Sequence, residues 1–347
     1  MLIPKLGIID DLYAYLENKV TARRAESRFF SKGWGNHAAI GEVQRKIFSG
    51  TPPVDIEVRW ENEWRPHRGH YARDGLFETS HFRAYLPEES RTCYFRIISP
   101  EPELRCPVYV HMAASGEEGY AAREASIAVP LLARGCGSLI VEHPYLGRRR
   151  PAAQRSTRPN HVSDLLLLGG TAIEEARSIL QWLYRRGHPR LGITGVSMGG
   201  HLAALAGVLT AFDLAIVPYV APHSAVPVFT EGLIKKACDW EKLAGNDIHK
   251  EFAEQKLRKY LQCTAIDQFP LPRNQAVVIA IAARDDRFVP AHSVEAPSRH
   301  WPNAELRCIE GGHVSSILGQ QNSHLAALVD AMDMLGEVQK KTARPAA

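Results

Sequence analysis

The sequence predicts an α/β protein: a mostly parallel sheet with helices on both faces, an N-terminal helical extension and a helical cap insertion. Three observations predict it. After residue 107, short apolar runs alternate with helical segments, as in sheets whose faces are both covered. Before that point the apolar residues alternate with polar ones, as in antiparallel strands. Residues 222–272 hold no convincing strand and interrupt the rhythm between two strands.

The elements follow in order. Leu12, Leu16 and Val20 recur at helical spacing, so residues 1–53 read as a helical extension. Gly33-Trp34-Gly35-Asn36 breaks it and Thr51-Pro52-Pro53 ends it. Early strands are expected over 54–60, parts of 76–86, and 91–99. Core strands are expected over 107–113, 137–142, 191–194, 214–220, 276–283 and 304–309. An alanine-rich helix runs to Ala133, and further helices cover about 162–186, 198–209, 291–300 and 315–336. Together, residues 54–337 form one domain, and 338–347 are expected to be a flexible tail. The insertion, about 223–272, has helical patterns at 229–237 and 251–261, with Asn246 and Asp267 suited to helix ends. In a doubly wound sheet such an insertion sits over the carboxyl edge, where ligands bind.

Composition removes several function classes. The chain has 347 residues, a formal charge of +4, 45% hydrophobic residues and 23% charged ones. No block of like charge concentrates that small excess, so nucleic acid is not an expected partner. The longest clean apolar run, near Val277–Ala283, is far too short for a membrane span of roughly 20 residues. Peripheral membrane contact and oligomeric state stay open. Six scattered cysteines without a C-x-x-C pair argue for a reducing compartment, the cytoplasm, or the mitochondrion in a eukaryotic source. Asp10, Asp11, Glu17 and Glu26 argue against a secretory leader. Gly33-Trp34-Gly35-Asn36-His37-Ala38 has dinucleotide-binding letters but no preceding strand. His67-Arg68-Gly69-His70 offers two imidazoles without a third ligand nearby in sequence, so it reads as a solvated loop. No cofactor and no metal are expected.

The chemistry concentrates in three loops. Gly195-Val196-Ser197-Met198-Gly199 matches G-x-S-x-G between a short apolar strand and an alanine-rich helix. A serine there occupies a strained turn, and the glycines remove side chains that would collide around it. Ser197 is therefore the candidate nucleophile. After the strand 276–283 comes Arg284-Asp285-Asp286-Arg287-Phe288-Val289-Pro290. Asp286 is the favoured acid and Asp285 the alternative. His313, in Glu310-Gly311-Gly312-His313 after the last strand, is the candidate base, completing the order serine, acid, histidine. The backbone N–H of Met198 is one oxyanion donor. The second is expected from Ser115, with Ala114 as the alternative. Arg149 in the cluster Arg148-Arg149-Arg150, together with His223, Phe229 and Trp240, are candidate substrate contacts.

These pieces resemble the alpha/beta hydrolase domain-containing protein 18 family. The resemblance is carried by Ser31-Lys32-Gly33-Trp34-Gly35, by Glu142-His143-Pro144-Tyr145-Leu146-Gly147, and by Val162-Ser163-Asp164-Leu165. It continues through Gly192-Ile193-Thr194-Gly195-Val196-Ser197-Met198-Gly199-Gly200-His201 and Glu310-Gly311-Gly312-His313-Val314-Ser315. It implies an alpha/beta-hydrolase fold with a Ser197–Asp286–His313 triad acting on a lipid, phospholipid or other acyl ester. Ala114 departs from the family's glycine-rich oxyanion loop. The expected reaction is carboxylic-ester hydrolysis through an acyl-enzyme. A peptidase, thioesterase, acyltransferase or non-catalytic binding member on the same scaffold is the alternative.

Overall fold

The computed structural model describes residues 7–22, 25–47, 51–79, 81–245, 249–273 and 276–342. Among the described residues ten strands form one mixed sheet: β1 (Arg59–Trp60), β2 (Arg65–His67), β3 (His70–Glu78), β4 (Thr92–Ser99), β5 (Val108–Met112), β6 (Gly137–Val141), β7 (Leu191–Val196), β8 (Ala215–Tyr219), β9 (Val277–Ala283) and β10 (Ala304–Ile309). Their order is β1-β3-β4-β6-β5-β7-β8-β9-β10, with β2 paired to β3. Pairing is antiparallel through β4–β6 and parallel from β6 to β10.

Strands β5, β6, β8 and β9 are buried at every residue, which is why they read as unbroken apolar runs. The long helix Val162–Arg185 packs one face into the main core with Leu166, Ile173, Ile179 and Leu180. The final helix Gln321–Thr342 covers the other face through Ala327, Leu328, Ala331 and Leu335. Between β8 and β9 lie the helices Ala225–Thr230, Trp240–Ala244 and Lys250–Leu261, with a 3-10 turn at Leu233–Ala237.

Several elements differ from the sequence expectation. Most of 54–60 is irregular, and the second early strand begins at His70 rather than Leu76. The reason is a two-residue hairpin turn: Arg68 and Gly69 both have positive φ, 49° and 83°, which reverses the chain between β2 and β3. Past Glu78 the expected strand gives way to the 3-10 turns Arg83–Tyr85 and Glu88–Ser90. The alanine-rich helix is broken by a π-helical stretch, Glu124–Ala128. Residues 338–342, expected in the tail, continue the final helix, while 343–347 lie outside the described residues. Asn246 also lies outside them.

The extension contains α1 (Gly7–Ala22) and α2 (His37–Ile47). Helix α2 buries Ala39, Ile40, Val43 and Ile47 in the main core. Helix α1 inverts the expected stripe. Leu12 and Leu16 are exposed, and Asp10 and Ala14 face the protein. The side chain of Val20 lies outside the described ones.

Candidate active site

Ser197 sits on the turn between β7 and the helix Met198–Val208, with φ 55° and ψ −119°. A non-glycine residue in that region is strained, and the surroundings fix it there. A Cβ on Gly195 would come within 2.4 Å of the Gly199 backbone, and one on Gly199 within 2.5 Å of the Met112 carbonyl oxygen. Only glycines allow so close a crossing of strand, turn and helix. The Ser197 N–H donates to the Tyr219 carbonyl at 2.9 Å, tying the turn to the neighbouring strand. The helix Met198–Val208 directs its N-terminal dipole at the turn.

Asp286 follows β9. Its Oδ1 accepts the N–H groups of Phe288 and Val289 at 2.9 and 2.8 Å. Its Oδ2 accepts from His313 Nδ1 at 2.6 Å. Asp285 is exposed. His313 begins the helix His313–Gly319 and is buried. Burial acts to lower its pKa. The charge and hydrogen bond of Asp286, aided by Asp10, outweigh burial and hold the pKa above the ordinary imidazole value.

Asp10 is the residue that sequence reasoning missed. It counted there only as an acid near the N-terminus, yet it is fully buried on α1. Its Oδ2 accepts the N–H groups of His313 and Arg287 at 2.8 and 3.1 Å, and its Oδ1 accepts that of Val314 at 2.9 Å. One carboxylate thus ties together the two loops that carry Asp286 and His313. A Cβ at Gly312 would meet the Asp10 carboxylate at 2.6 Å, which explains the glycine before His313. No sequence signal marked it, because the apolar stripe of α1 points to the opposite face and the three donors are backbone N–H groups.

Two connected chambers meet at Ser197. The outer one, about 470 Å³, is lined by Tyr13, Ser197, Leu233, Phe288, His313 and Leu318, among others. The inner one, about 70 Å³, is lined by Leu146, Met198, His201, Val228, Phe229 and Ile234, among others. Ser115 borders both. Ala114 lines the outer chamber, and its N–H already donates to Glu117 Oε2 at 3.0 Å. Glu117 is anchored by Arg123, which also binds the carbonyls of His111 and Val141. His201 donates its Nδ1–H to the Pro222 carbonyl at 3.0 Å, and burial lowers its pKa to about 4, so it is a neutral wall residue. Among the described residues no hydrogen bond joins Ser197 to His313; such bonds commonly close only with substrate.

Three candidate contacts are corrected. Arg149 is fully buried and binds Glu175 at 2.6 Å as well as the carbonyls of Glu142 and Ser90. It is a structural ion pair, and no substrate anion reaches it. His223 lies outside both chambers, its ring and its backbone N–H both bonded to Ser293 Oγ at 2.8 and 3.0 Å. Trp240 opens a cap helix, donates its indole N–H to the Lys235 carbonyl at 2.9 Å and lines neither chamber. Phe229 does line the inner chamber, where it stacks edge-on against Phe29.

The alpha/beta hydrolase domain containing 18 family model matches residues 27–260 and 244–334. The chain belongs to that family. Among solved structures it is similar to acetyl xylan esterase 1 from Thermoanaerobacterium sp. JW/SL YS485, at 12% identity and a TM-score of 0.57, covering 89% of this chain and 98% of that one. An acetyl xylan esterase from a Paenibacillus species matches at 13% identity and a TM-score of 0.56, covering 86% and 95%. A cold-adapted esterase from an Arctic intertidal metagenomic library matches at 14% and 0.51, covering 79% and 99%. These likenesses establish the alpha/beta-hydrolase fold. Among the described residues no helix is long and apolar enough to cross a membrane.

Proposed function

We propose that the protein is a serine carboxylesterase using Ser197, His313 and Asp286. The observation that carries this reading is the strained Ser197 facing the same cavity as a histidine paired with a buried carboxylate. His313 Nε2 takes the Ser197 Oγ proton as Oγ bonds to the ester carbonyl carbon. The Met198 and Ser115 N–H groups hold the tetrahedral oxyanion. His313 then gives its proton to the leaving alkoxide as the carbon–oxygen bond breaks, leaving an acyl-enzyme. Water, deprotonated by His313, attacks that ester and releases the acid. Asp286 keeps Nδ1–H fixed and stabilises the imidazolium.

The chambers divide the substrate. Because His313 protonates the leaving group and borders only the outer chamber, the alcohol part belongs there and the acyl part in the inner one. A volume of 70 Å³, at roughly 10–15 Å³ per water-sized group, holds about five heavy atoms. That favours short acyl groups, with acetyl to about butyryl preferred. The acetyl esters named for two similar structures agree with this size.

A lipid or phospholipid ester is the second reading, favoured by one observation. Tyr13 and Leu318 line the outer chamber and continue into exposed Ile8, Leu12 and Leu16, an apolar rim suited to peripheral membrane contact. A panel of p-nitrophenyl esters from acetate to palmitate decides. A maximum at two to four carbons supports the first reading, and a maximum at long chains supports the second. Replacing Ser197 by Ala should cut kcat by about 10⁴ or more and abolish fluorophosphonate labelling, with thermal stability retained. Retained turnover would remove Ser197 from the mechanism.

A further inference from the structure

The His67-Arg68-Gly69-His70 segment, read from sequence as a solvated loop, is a tight hairpin corner. His67 and His70 are the register pair that closes the β2–β3 turn, so their side chains leave the hairpin on one face. The missing third ligand arrives from 54 residues downstream in sequence. Glu124, at the start of the π-helical stretch, is buried and places Oε1 at 2.7 Å from His67 Nε2 and 3.8 Å from His70 Nε2. All three donor atoms lie within 4.8 Å of one another.

We propose that His67, His70 and Glu124 form a zinc site separate from the active site, with water as the fourth ligand. Four observations carry it. His70 is buried, 4% exposed, and its Nε2 has no hydrogen-bond partner although it points at a carboxylate. A buried polar atom left in that state is costly, and a metal ion removes the cost. Next, a tetrahedral zinc about 2.0–2.1 Å from each donor spaces the donors about 3.3 Å apart. Glu124 Oε1 lies on either side of that value, and a shift of about half an ångström centres it. Then, Arg96 Nη1 binds the other carboxylate oxygen, Oε2, at 3.0 Å, and Arg96 is itself held by Asp74. That fixes Glu124 as a single-oxygen ligand and supplies the outer hydrogen bond that metal sites use to orient ligands. Last, two imidazoles and one carboxylate oxygen suit zinc, whereas calcium and magnesium need mostly oxygen ligands. The π-helical stretch is the local device that aims Glu124, since such insertions re-aim a side chain on a helix.

The bound ion staples the β2–β3 hairpin to the segment after β5. It lies outside both chambers, so its role is structural. The test uses the full chain, stripped with a chelator and titrated with zinc against a chromogenic competitor. The expected result is one zinc per chain, a raised thermal midpoint, and the intense visible bands of four-coordinate cobalt when cobalt replaces zinc. His67→Gln, on the more exposed side of the hairpin, should weaken zinc binding at least about 100-fold and abolish the midpoint shift, while esterase turnover stays unchanged. His70→Gln should do the same; should it fail to fold, His67→Gln carries the decision. Less than one zinc per chain, or equal zinc affinity in His67→Gln, overturns the site.

Discussion

Two buried ion pairs have equal length but differ in what surrounds them. Arg149 and Glu175 meet at 2.6 Å, as do His313 and Asp286. The Arg149 pair is enclosed by further bonds to the carbonyls of Glu142 and Ser90 and by the Thr79 hydroxyl on Glu175. Its guanidinium cannot release a proton, so the pair is a permanent brace. The His313 pair opens on the cavity that holds Ser197. Its imidazole can take and return a proton within the ordinary pH range. Distance and burial therefore do not separate the two pairs; the titratable partner and the open side do, and they are what support the catalytic role proposed for His313.

Breaking the pair proposed as catalytic should give the largest effect. Asp286→Asn should lower kcat by about 10³–10⁴, while Asp285→Asn costs less than about tenfold. Steady-state kinetics on one short ester checks both, and the reverse ranking would move the acid to Asp285. Breaking the brace should act on stability instead. Arg149→Met leaves Glu175 buried and unpaired and should cost about 3–5 kcal/mol in denaturant melts, with kcat per folded molecule unchanged. A loss of kcat at full stability would return Arg149 to the substrate.

The pairs should also differ in pH response. His313 has a raised pKa in the fold, so its protonated form stabilises the protein below the ordinary imidazole value. That contribution is lost as pH rises through the folded pKa. Activity runs the other way in the proposed mechanism, where His313 must be neutral to act as base: kcat/KM should rise with pH through a pKa raised above the ordinary imidazole value. In Arg149→Met the same limb should persist. The smallest expected change separates two cap residues. Phe229→Ala enlarges the inner chamber and should shift the ratio of kcat/KM for long and short p-nitrophenyl esters by about tenfold toward long chains. Trp240→Ala should leave that ratio unmoved.

The six strands β5–β10 and the loops that follow them were legible because their signals are local. Unbroken apolar runs mark buried strands, and glycines mark the turn at Ser197 and the approach to His313. What escaped depends on partners distant in sequence. Arg149 reads from sequence as a substrate contact, and only the fold shows Glu175 and two carbonyls enclosing it. Phe229 and Trp240 belong to the same apolar insertion, and only packing puts Phe229 on the inner chamber while Trp240 lines neither. Asp10 was invisible for the same reason, because its three donors are backbone N–H groups that carry no side-chain signature.

Asp10 also sets an order of events. It accepts a hydrogen bond from a residue 303 positions later. At synthesis rates of about 5–20 residues per second, the ribosome needs about 15–60 s to deliver that partner. The first helix must wait, its acid in water, until β10 and the histidine loop have emerged. A nascent chain can therefore build its central sheet and its serine turn while the histidine loop is still unmade. In the reading proposed above, hydrolytic competence would then wait for the moment when the Asp10 helix locks onto the His313 loop.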